Sequence, residues 1–377
     1  MSAPVPLPGA LADIWVYLAA TPLLGLTATL LVWLQFAVCA GLIGAAGYQL
    51  SRYGDAIAQR TGLSGSWIGL TLVASVTSLP ELATGITSVT LANTPNLAVG
   101  NALGSCVLNL VFLVVIDLLY RPAPVWTRAA HGHVLAGAFG VVLLGFLLLG
   151  LLMGQLGATA SASTGAGTAS QRSVGLLTPV ILLLYLVAMR TVFAYERSHP
   201  AAPPADTVPP TNNAAPTLPS LRQAATRFAM AAAIVVGAGM WLPFVAVNLA
   251  TTMGWNRSFV GSLFVALVTT LPELAVTLSA LRLGALDMAI GNLLGSNLFN
   301  VAIVGIDDLF YRPGDLLAHV SPVHAITAAS AVVMTGLAVV GLFFRPRSRV
   351  LRAVGMVSIG MAAVYLVNTY VVFLYGN

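Results

Sequence analysis

Charge is the first thing that this sequence lacks. Charged residues make up 7% of its 377 positions, whereas apolar residues make up 58%. A soluble globular domain carries roughly 25% charged residues, so this chain cannot cover a folded core with a water-compatible surface. We therefore expect lipid to surround most of the protein. This excludes soluble enzymes and nucleic-acid-binding modules.

Reactive side chains are scarce as well. The sixteen basic residues are all arginine, and the two cysteines, Cys39 and Cys106, lie within apolar runs. Two such cysteines are too few for a disulfide framework or a zinc site, and the histidines show no ligand spacing. The sequence has no glycine-rich phosphate loop, so ATP-driven pumping has no machinery here. We predict no enzyme activity, no cofactor, and neither a nucleotide nor a nucleic-acid partner.

Ten apolar stretches are long enough to cross a membrane. About 20 residues span the hydrocarbon core as a helix, so we predict an all-α, polytopic transmembrane bundle of about ten helices. Residues 11–26 are predicted to be an interfacial segment, and the Ser/Thr/Gly/Ala-rich stretch 158–171 a solvated outer loop. The predicted spans are 27–49, 66–92, 97–119, 130–154, 174–192, 225–250, 258–282, 287–311, 320–344 and 351–375.

The arginines predict the orientation of the chain. All but Arg172, Arg257 and Arg312 lie in connections that follow odd-numbered spans. Basic connections remain in the cytoplasm, so both termini are predicted to face outside. We predict a multi-pass protein of the plasma (inner) membrane.

The two halves of the chain repeat the same motifs at offsets of 192 and 191 residues. Residues 27–195 are predicted to be a first five-helix repeat, 196–221 a linker, and 222–376 a second five-helix repeat. Because five is odd, the second copy crosses the membrane in the opposite direction, as in the inverted repeats of secondary transporters. The matching segments are GLTLVASVTSLPELA (69–83) with GSLFVALVTTLPELA (261–275), AVGNALGSCVLN (98–109) with AIGNLLGSNLFN (289–300), and DLLYRP (117–122) with DLFYRP (308–313).

Two repeated glutamates lie where an acidic side chain is costly. Glu81 and Glu273 fall in the middle of apolar spans, where a charge costs on the order of 3 kcal/mol. Pro80 and Pro272 precede them, and a proline inside a helix costs about 3 kcal/mol more. Because both costs recur at equivalent positions, we interpret these residues as functional. The alternative is a proline kink whose glutamate bonds a neighbouring helix.

Each proline also releases backbone oxygens from helical bonding. The released carbonyls belong to residues near Val76 and Val268, beside Thr77 and Thr269. Carbonyls, hydroxyls and a carboxylate at one depth are the ligands of a hard cation. The sequence therefore predicts a cation site between two broken helices.

A second repeated motif, GNxxGSxxxN, adds neutral oxygens. Amide and hydroxyl oxygens complete a cation's shell without adding charge. The motif's glycines are predicted to let helices approach closely, and Asn101 and Asn292 to be structural. The residues predicted to face the cation are Asn109, Asn300, Ser105 and Ser296.

Two aspartates are predicted to form ion pairs near the membrane surface. Asp117 and Asp308 are each followed four residues later by an arginine, Arg121 or Arg312, which is the spacing of a helical ion pair. Asp307 has no such partner and no counterpart in the first repeat, so no role is assigned to it.

These motifs resemble the two alpha-repeats of the cation/calcium exchanger superfamily, specifically its prokaryotic sodium/calcium exchangers. The similar segments are TSLPELA (77–83), TTLPELA (269–275), GNALGSCVLN (100–109) and GNLLGSNLFN (291–300). The resemblance implies that spans one and six slide across the core to alternate access. The calcium ligands that it implies are Glu81, Glu273 and the carbonyls of Thr77 and Thr269. The sodium ligands that it implies are the carbonyls of Ala74 and Ala266, the side chains of Ser78, Thr270, Ser105 and Ser296, and Asn109 and Asn300 at the centre.

The chain departs from that family pattern at two places. Family members often have aspartate where this chain has Asn300, so the centre here carries two formal negative charges. Val76 and Val268 stand where the motif usually has glycine, and branched residues there would change the shape of the break.

We predict sodium-driven calcium exchange around the central glutamates. Two alternatives within transport remain, namely proton-coupled antiport and transport of another divalent cation such as magnesium or manganese, because a carboxylate pair can also share a proton. A third alternative is a passive cation channel lined by the same oxygens. The predicted partners are calcium ions, sodium ions and membrane lipid.

Overall fold

The computed structural model describes residues 22–60, 74–120, 122–164, 174–198, 220–350 and 354–376. Nearly all of these residues are helical, which confirms the predicted all-α transmembrane bundle. In these ranges, eight helices are long and apolar enough to span a membrane, and a bent helix pair makes a ninth. The second predicted span is described from residue 74 onward, and most of the segment 11–26 lies outside the described residues.

The helices of the first repeat follow the predicted spans in order. The second predicted span is broken into two helices at Ser78. Proline suits the first turn of a helix, where its missing N–H has no intrahelical partner to lose, and α3 and α4 each have one there. The elements are α1 (Pro22–Arg60), α2 (Ala74–Thr77), α3 (Leu79–Thr90), α4 (Pro95–Leu119), α5 (Val125–Arg128), α6 (Gly132–Thr164) and α7 (Thr178–Ser198).

The second repeat has the same order of elements. Its counterpart of α2 and α3 is a helical run that bends by 45° at Thr270. The elements are α8 (Leu221–Met253), α9 (Arg257–Phe259), a π-helical segment (Val260–Val265), α10 (Ala266–Thr269), α11 (Leu271–Arg282), α12 (Leu286–Phe310), a 3-10 turn (Leu316–Ala318), α13 (Val323–Phe344), an antiparallel ribbon of β1 (Arg349–Val350) and β2 (Val354–Gly355), and α14 (Met356–Tyr375).

Several helices run beyond their predicted ends. α1 continues to Arg60 and α6 to Thr164, because a helix does not have to stop where the hydrocarbon stops. The prediction of a loop at 158–171 was therefore wrong for residues 158–164.

Helices α4 and α12 form the centre of the bundle. They pack against each other and are buried over most of their length, whereas α7 and α14 are exposed over most of theirs. Two long helices, α1 and α8, pack along each other and cover the broken helices. The central pair and the broken helices thus surround one shielded region.

Asp117 ties the first repeat to the last helix of the second. Its Oδ2 accepts hydrogen bonds from the Gly355 backbone N–H at 2.8 Å and from the Ser358 hydroxyl at 2.7 Å, both at the start of α14. Its Oδ1 accepts from the Val125 N–H at 3.3 Å. A buried carboxylate thereby satisfies the free donors of a helix N-terminus.

Asp308 makes the equivalent contacts from the second repeat to the first. Its Oδ2 accepts from the Gly175 N–H at 2.7 Å and the Thr178 hydroxyl at 2.6 Å, at the start of α7. Its Oδ1 accepts from the Leu316 N–H at 2.7 Å. Helix α4 of the first repeat therefore holds α14 of the second, and helix α12 of the second repeat holds α7 of the first.

These contacts correct the predicted ion pair between Asp308 and Arg312, and they give Asp117 partners other than the predicted one. Asp117 and Asp308 are completely buried, while Arg312 is exposed and makes no ion pair with Asp308. Arg121 lies outside the described residues. The arginine that pairs with Asp117 is Arg349, at 4.0 Å. The spacing rule failed because backbone donors from distant helices, which local spacing does not show, are strong partners for a buried carboxylate.

Candidate functional site

Two broken helices meet at the centre of the bundle. Ser78 separates α2 from α3 with backbone angles of φ −87° and ψ 13°, and Thr270 separates α10 from α11 with φ −83° and ψ 3°. Backbone bonding resumes with Leu82 N–H to the Ser78 carbonyl at 3.2 Å and Leu274 N–H to the Thr270 carbonyl at 3.1 Å. The sequence repeat is thus also a repeat of backbone geometry.

A glycine on each long helix contacts the proline of the opposite repeat. Gly47 of α1 lies so close to the Pro272 ring that a Cβ would overlap it. Gly239 of α8, 192 residues later, lies against the Pro80 carbonyl, 3.1 Å from where its Cβ would be. Gly239 also accepts a hydrogen bond from the Thr84 hydroxyl at 3.0 Å. The long helices therefore cross the two breaks at glycines.

The branched residues at the breaks pack against these same long helices. Val76 belongs to a buried cluster with Ala231 and Val235 of α8. Val268 belongs to a cluster that includes Ile43 of α1. The valines fill space beside α1 and α8 and do not enter the polar centre.

The two glutamates are completely buried and bound by serines. Glu81 Oε1 accepts from the Ser105 hydroxyl at 3.5 Å, and Glu273 Oε1 accepts from the Ser296 hydroxyl at 3.5 Å. Glu273 Oε1 also accepts from the Ser78 hydroxyl of the first repeat at 2.8 Å. The carboxylates therefore face a common centre between the repeats.

The two threonines of the breaks reach across to the opposite repeat. The side chain of Thr77 lies beside the Glu273 carboxylate, and that of Thr269 lies beside the Glu81 carboxylate. The Thr269 hydroxyl also lies 3.5 Å from the Ser105 hydroxyl. The structure thus brings together the side chains of the four residues predicted to hold calcium.

Buried oxygens at this centre have no hydrogen-bond donor among the described residues. Neither of the two ion pairs found in the described residues involves a central glutamate. Two uncompensated carboxylates in a dry site cost several kcal/mol unless a cation or a proton neutralises them. The unpaired oxygens are Oε2 of Glu81, Oε2 of Glu273, Oδ1 of Asn109 and Oδ1 of Asn300. This is a donor set for a hard cation.

Ser78 and Thr270 occupy equivalent positions and bond differently. Ser78 donates across the repeats, whereas the Thr270 hydroxyl donates to the Ala266 carbonyl of its own helix at 2.7 Å. That carbonyl also accepts the Thr270 backbone N–H at 3.0 Å. Ala74, the counterpart of Ala266, is the first described residue of α2. The proposed sodium-binding roles of Ala74, Ala266 and Thr270 remain predictions.

The two central asparagines are held differently. Asn109 Nδ2 donates to Asn297 Oδ1 at 3.0 Å, and Asn297 Nδ2 donates to the Cys106 carbonyl at 3.1 Å. Asn297 and Cys106 are equivalent in the repeat, and the cysteine has no amide to offer. Both the Nδ2 and the Oδ1 of Asn300 consequently have no partner among the described residues. Asn109 is thus held by an amide of the other repeat, whereas Asn300 faces the Cys106 thiol.

The first asparagines of the motif bind the broken helices. Asn101 Oδ1 accepts from the Thr269 hydroxyl at 2.9 Å, and Asn292 Nδ2 donates to the Glu273 carbonyl at 3.4 Å. Gly104 lies so close to the Ser262 carbonyl that a Cβ would overlap it. These contacts agree with the structural and packing roles predicted for these residues.

Sequence reasoning missed Asn297 and left Asp307 unassigned. The available signal for Asn297 was its mismatch with Cys106 inside an otherwise repeated motif. In the described part of the chain, no cluster of three or more His, Cys, Asp or Glu side chains could hold a metal ion. The centre offers two carboxylates supplemented by neutral oxygens.

The fold and the centre define a membrane transporter built from two inverted helical repeats around a buried acidic site. A family model described as "Sodium/calcium exchanger protein" matches residues 31–193 and 224–373. The chain belongs to this family. It is a multi-pass membrane antiporter and not an enzyme.

Individual relatives agree with this assignment. The chain is 30% identical over 263 residues to the putative antiporter CaxA of Alkalimonas amylolytica, covering 69% of this chain and 74% of CaxA. It is 28% identical over 309 residues to the inner membrane protein YrbG of Escherichia coli K12, covering 80% and 86%. It shares its fold with the sodium-calcium exchanger NCX_Mj at a TM-score of 0.56 and 21% identity, covering 90% of this chain and 98% of NCX_Mj.

Proposed function

We propose that this protein exchanges sodium for calcium across the plasma membrane by alternating access around the Glu81 and Glu273 centre. The observation that carries the proposal is the pair of completely buried carboxylates, each with an unpaired Oε2 and no counter-charge among the described residues. NCX_Mj, whose fold this chain shares, is described as a sodium-calcium exchanger.

Calcium fits the centre by ligand count. Two bidentate carboxylates supply four oxygens, and the carbonyls of Thr77 and Thr269 at the breaks bring the number to about six, the minimum that calcium accepts. Two negative charges balance one divalent ion. The free amide oxygens of Asn109 and Asn300 are available beside it without changing that balance.

Antiport follows from sharing the carboxylates. We propose that sodium ions bind beside the centre through Ser78, Thr270, Ser105 and Ser296 and use the same glutamates. Ser78, Ser105 and Ser296 already donate to those carboxylates. Because two sodium ions and one calcium ion would neutralise the same pair of charges, occupancy by one ion excludes the other. The protein then changes conformation only when the pair is neutralised.

Helices α1 and α8 are positioned to alternate access. They pack along each other and touch the breaks through Gly47 and Gly239, where small contact surfaces permit sliding. Neither glycine contact includes an ion pair that would have to break. We propose that these two helices move across the rest of the bundle and expose the centre to one side at a time.

The test is calcium flux into proteoliposomes under an imposed sodium gradient. Glu81→Gln and Glu273→Gln each remove one central charge and are expected to reduce calcium uptake to background while the protein still purifies folded. Glu196→Gln, which changes the remaining glutamate of the chain, is the matched control and is expected to transport normally. Calcium uptake that survives both central substitutions would refute the site assignment.

Proton-coupled antiport is the second candidate, and the same vesicles distinguish it. The centre carries two carboxylates with Asn300 in place of a third, and such a pair can take protons as well as sodium. Calcium flux driven by a pH gradient without sodium would favour it, and competition by magnesium or manganese would identify another divalent substrate. Conductance far above exchanger turnover would instead indicate a channel.

The proposed topology places both termini outside the plasma membrane. It follows from the arginine-rich connections after odd-numbered spans. Cysteines introduced near Ser220 and near Tyr375 should react with a membrane-impermeant reagent from the cytoplasmic and outer sides, respectively. Labelling of both positions from one side would overturn this orientation.

A further inference from the structure

Asp307 is a buried carboxylate that the proposed exchange does not use. It is completely buried in α12, and neither of its oxygens has a hydrogen-bond partner among the described residues. The adjacent Asp308 is equally buried but accepts three hydrogen bonds. Hydrogen-bond donors are therefore present at this depth of the bundle, but none of those described reaches Asp307.

Asp307 lies beside the cation centre, displaced toward one end of the bundle. Its carboxylate packs against Gly85 of α3 so closely that a Cβ at Gly85 would overlap it. Gly85 is four residues after Glu81, a rise of about 6 Å along the helix. Helices α3 and α12 both run from the centre toward this end, so the carboxylate lies between the central site and that membrane surface.

This arrangement breaks the repeat. The first repeat has Ile116 where the second has Asp307, and the second repeat has Thr277 where the first has Gly85. Asp307 and Gly85, which makes room for it, therefore occur together at one end of the bundle, and the symmetry-related positions have neither residue. Such a pair of matched departures is what a one-sided function requires.

The groups around Asp307 suit a proton better than a metal ion. The charged side chain that interacts with the Asp307 carboxylate is that of Asp308, and it has the same sign of charge. Glu81 lies one helical turn from Gly85 on α3. Among the described residues, the other helices packed against α12 bring no arginine or histidine into an ion pair with it. A metal ion would need several further oxygens, whereas a proton needs only one carboxylate.

We propose that Asp307 is a proton-binding site linked to the central cation site. Its carboxyl O–H gives up the proton to water when a cation occupies the centre, and the carboxylate takes a proton from water when the cation leaves. No bond other than this O–H forms or breaks. The linkage to calcium rests on the antiport proposed above, whereas the proton on Asp307 does not.

Infrared spectroscopy tests the proton directly. In protein carrying Glu81→Gln and Glu273→Gln, the C=O band of a neutral buried carboxylic acid should remain, and adding Asp307→Asn or Asp307→Ala should remove it. Asp287→Asn is the matched control on the same helix, because Asp287 accepts from the Ala130 N–H at 2.7 Å and should contribute no such band. A band that persists without Asp307 would overturn the proposal.

Proton release on calcium binding tests the linkage. With both central glutamates intact, purified protein should release up to one proton fewer per calcium bound after Asp307→Asn. At high pH the variant should bind calcium about tenfold more weakly than wild type, and at low pH the two should converge, because the carboxylate attracts the ion only when ionised. Equal proton release and equal affinity at all pH values would overturn the linkage. Flux surviving both central substitutions would instead refute the antiport and leave the infrared result standing.

Discussion

Replacing Asn297 by cysteine should show how the central amide of Asn109 is held. The change gives the second repeat the residue that the first already has at Cys106. Two hydrogen bonds disappear, from Asn109 Nδ2 to Asn297 Oδ1 at 3.0 Å and from Asn297 Nδ2 to the Cys106 carbonyl at 3.1 Å. The Asn109 amide N–H is left buried without its partner, and the Cys106 carbonyl keeps only the backbone bond of its own helix.

The magnitude follows from these two bonds. The buried N–H left without a partner costs about 1–3 kcal/mol and the lost bond to the carbonyl about 1 kcal/mol, so the loss is about 3 kcal/mol in total. At about 2.1 cal per mol per kelvin per residue, a chain of this length should melt about 4 °C lower. The assay is thermal unfolding of the detergent-solubilised Asn297→Cys variant without calcium, under reducing conditions.

The control is Cys106→Ala. It removes a thiol whose described contact is the Asn297 carbonyl at 3.8 Å and should lower the melting temperature by no more than about 1 °C. In the transport assay, Asn297→Cys should also weaken calcium binding, because the Asn109 amide oxygen would no longer be directed at the centre. Melting of Asn297→Cys at the wild-type temperature would refute the reasoning.

Two further predictions concern the packing of the bundle. Asp308→Asn should destabilise the protein by about 2–4 kcal/mol, because it replaces a carboxylate that accepts three short hydrogen bonds from the start of α7 and from the turn after α12. The melting temperature measures this loss, and an unchanged value would contradict the role of Asp308 in holding α7. Gly47→Val should abolish calcium flux by forcing α1 away from Pro272, whereas Gly41→Val, where no atom lies within 4 Å, should leave it intact; equal flux in the two variants would contradict the close crossing.

The sequence predicted the bundle and its centre because both leave local signals. Apolar stretches of membrane length give the helices, and Pro80 and Pro272 give the breaks. The repeat then implies that Glu81 and Glu273 meet, since equivalent residues of an inverted repeat lie at one depth. The serine contacts of both glutamates agree with that expectation.

The partners of Asp117, Asp308 and Asn297 could not be predicted in the same way. Each binds groups more than 100 residues away, and half of these groups are backbone N–H or C=O groups, which nearly every residue has. Periodicity and motif spacing carry no information about such contacts. Local spacing predicted Arg312 as the partner of Asp308, whereas in the structure Asp308 accepts hydrogen bonds from backbone N–H groups instead.

The crosswise aspartate anchors also set an order in which the protein is completed during synthesis. When Asp308 leaves the ribosome, Gly175 and Thr178 have long since been made and can receive it at once. Asp117 must wait for Gly355 and Ser358, which follow it by 238 and 241 residues. The first repeat therefore lacks one of its supports until the start of α14 has been inserted, and a chain truncated before residue 355 would lose that support.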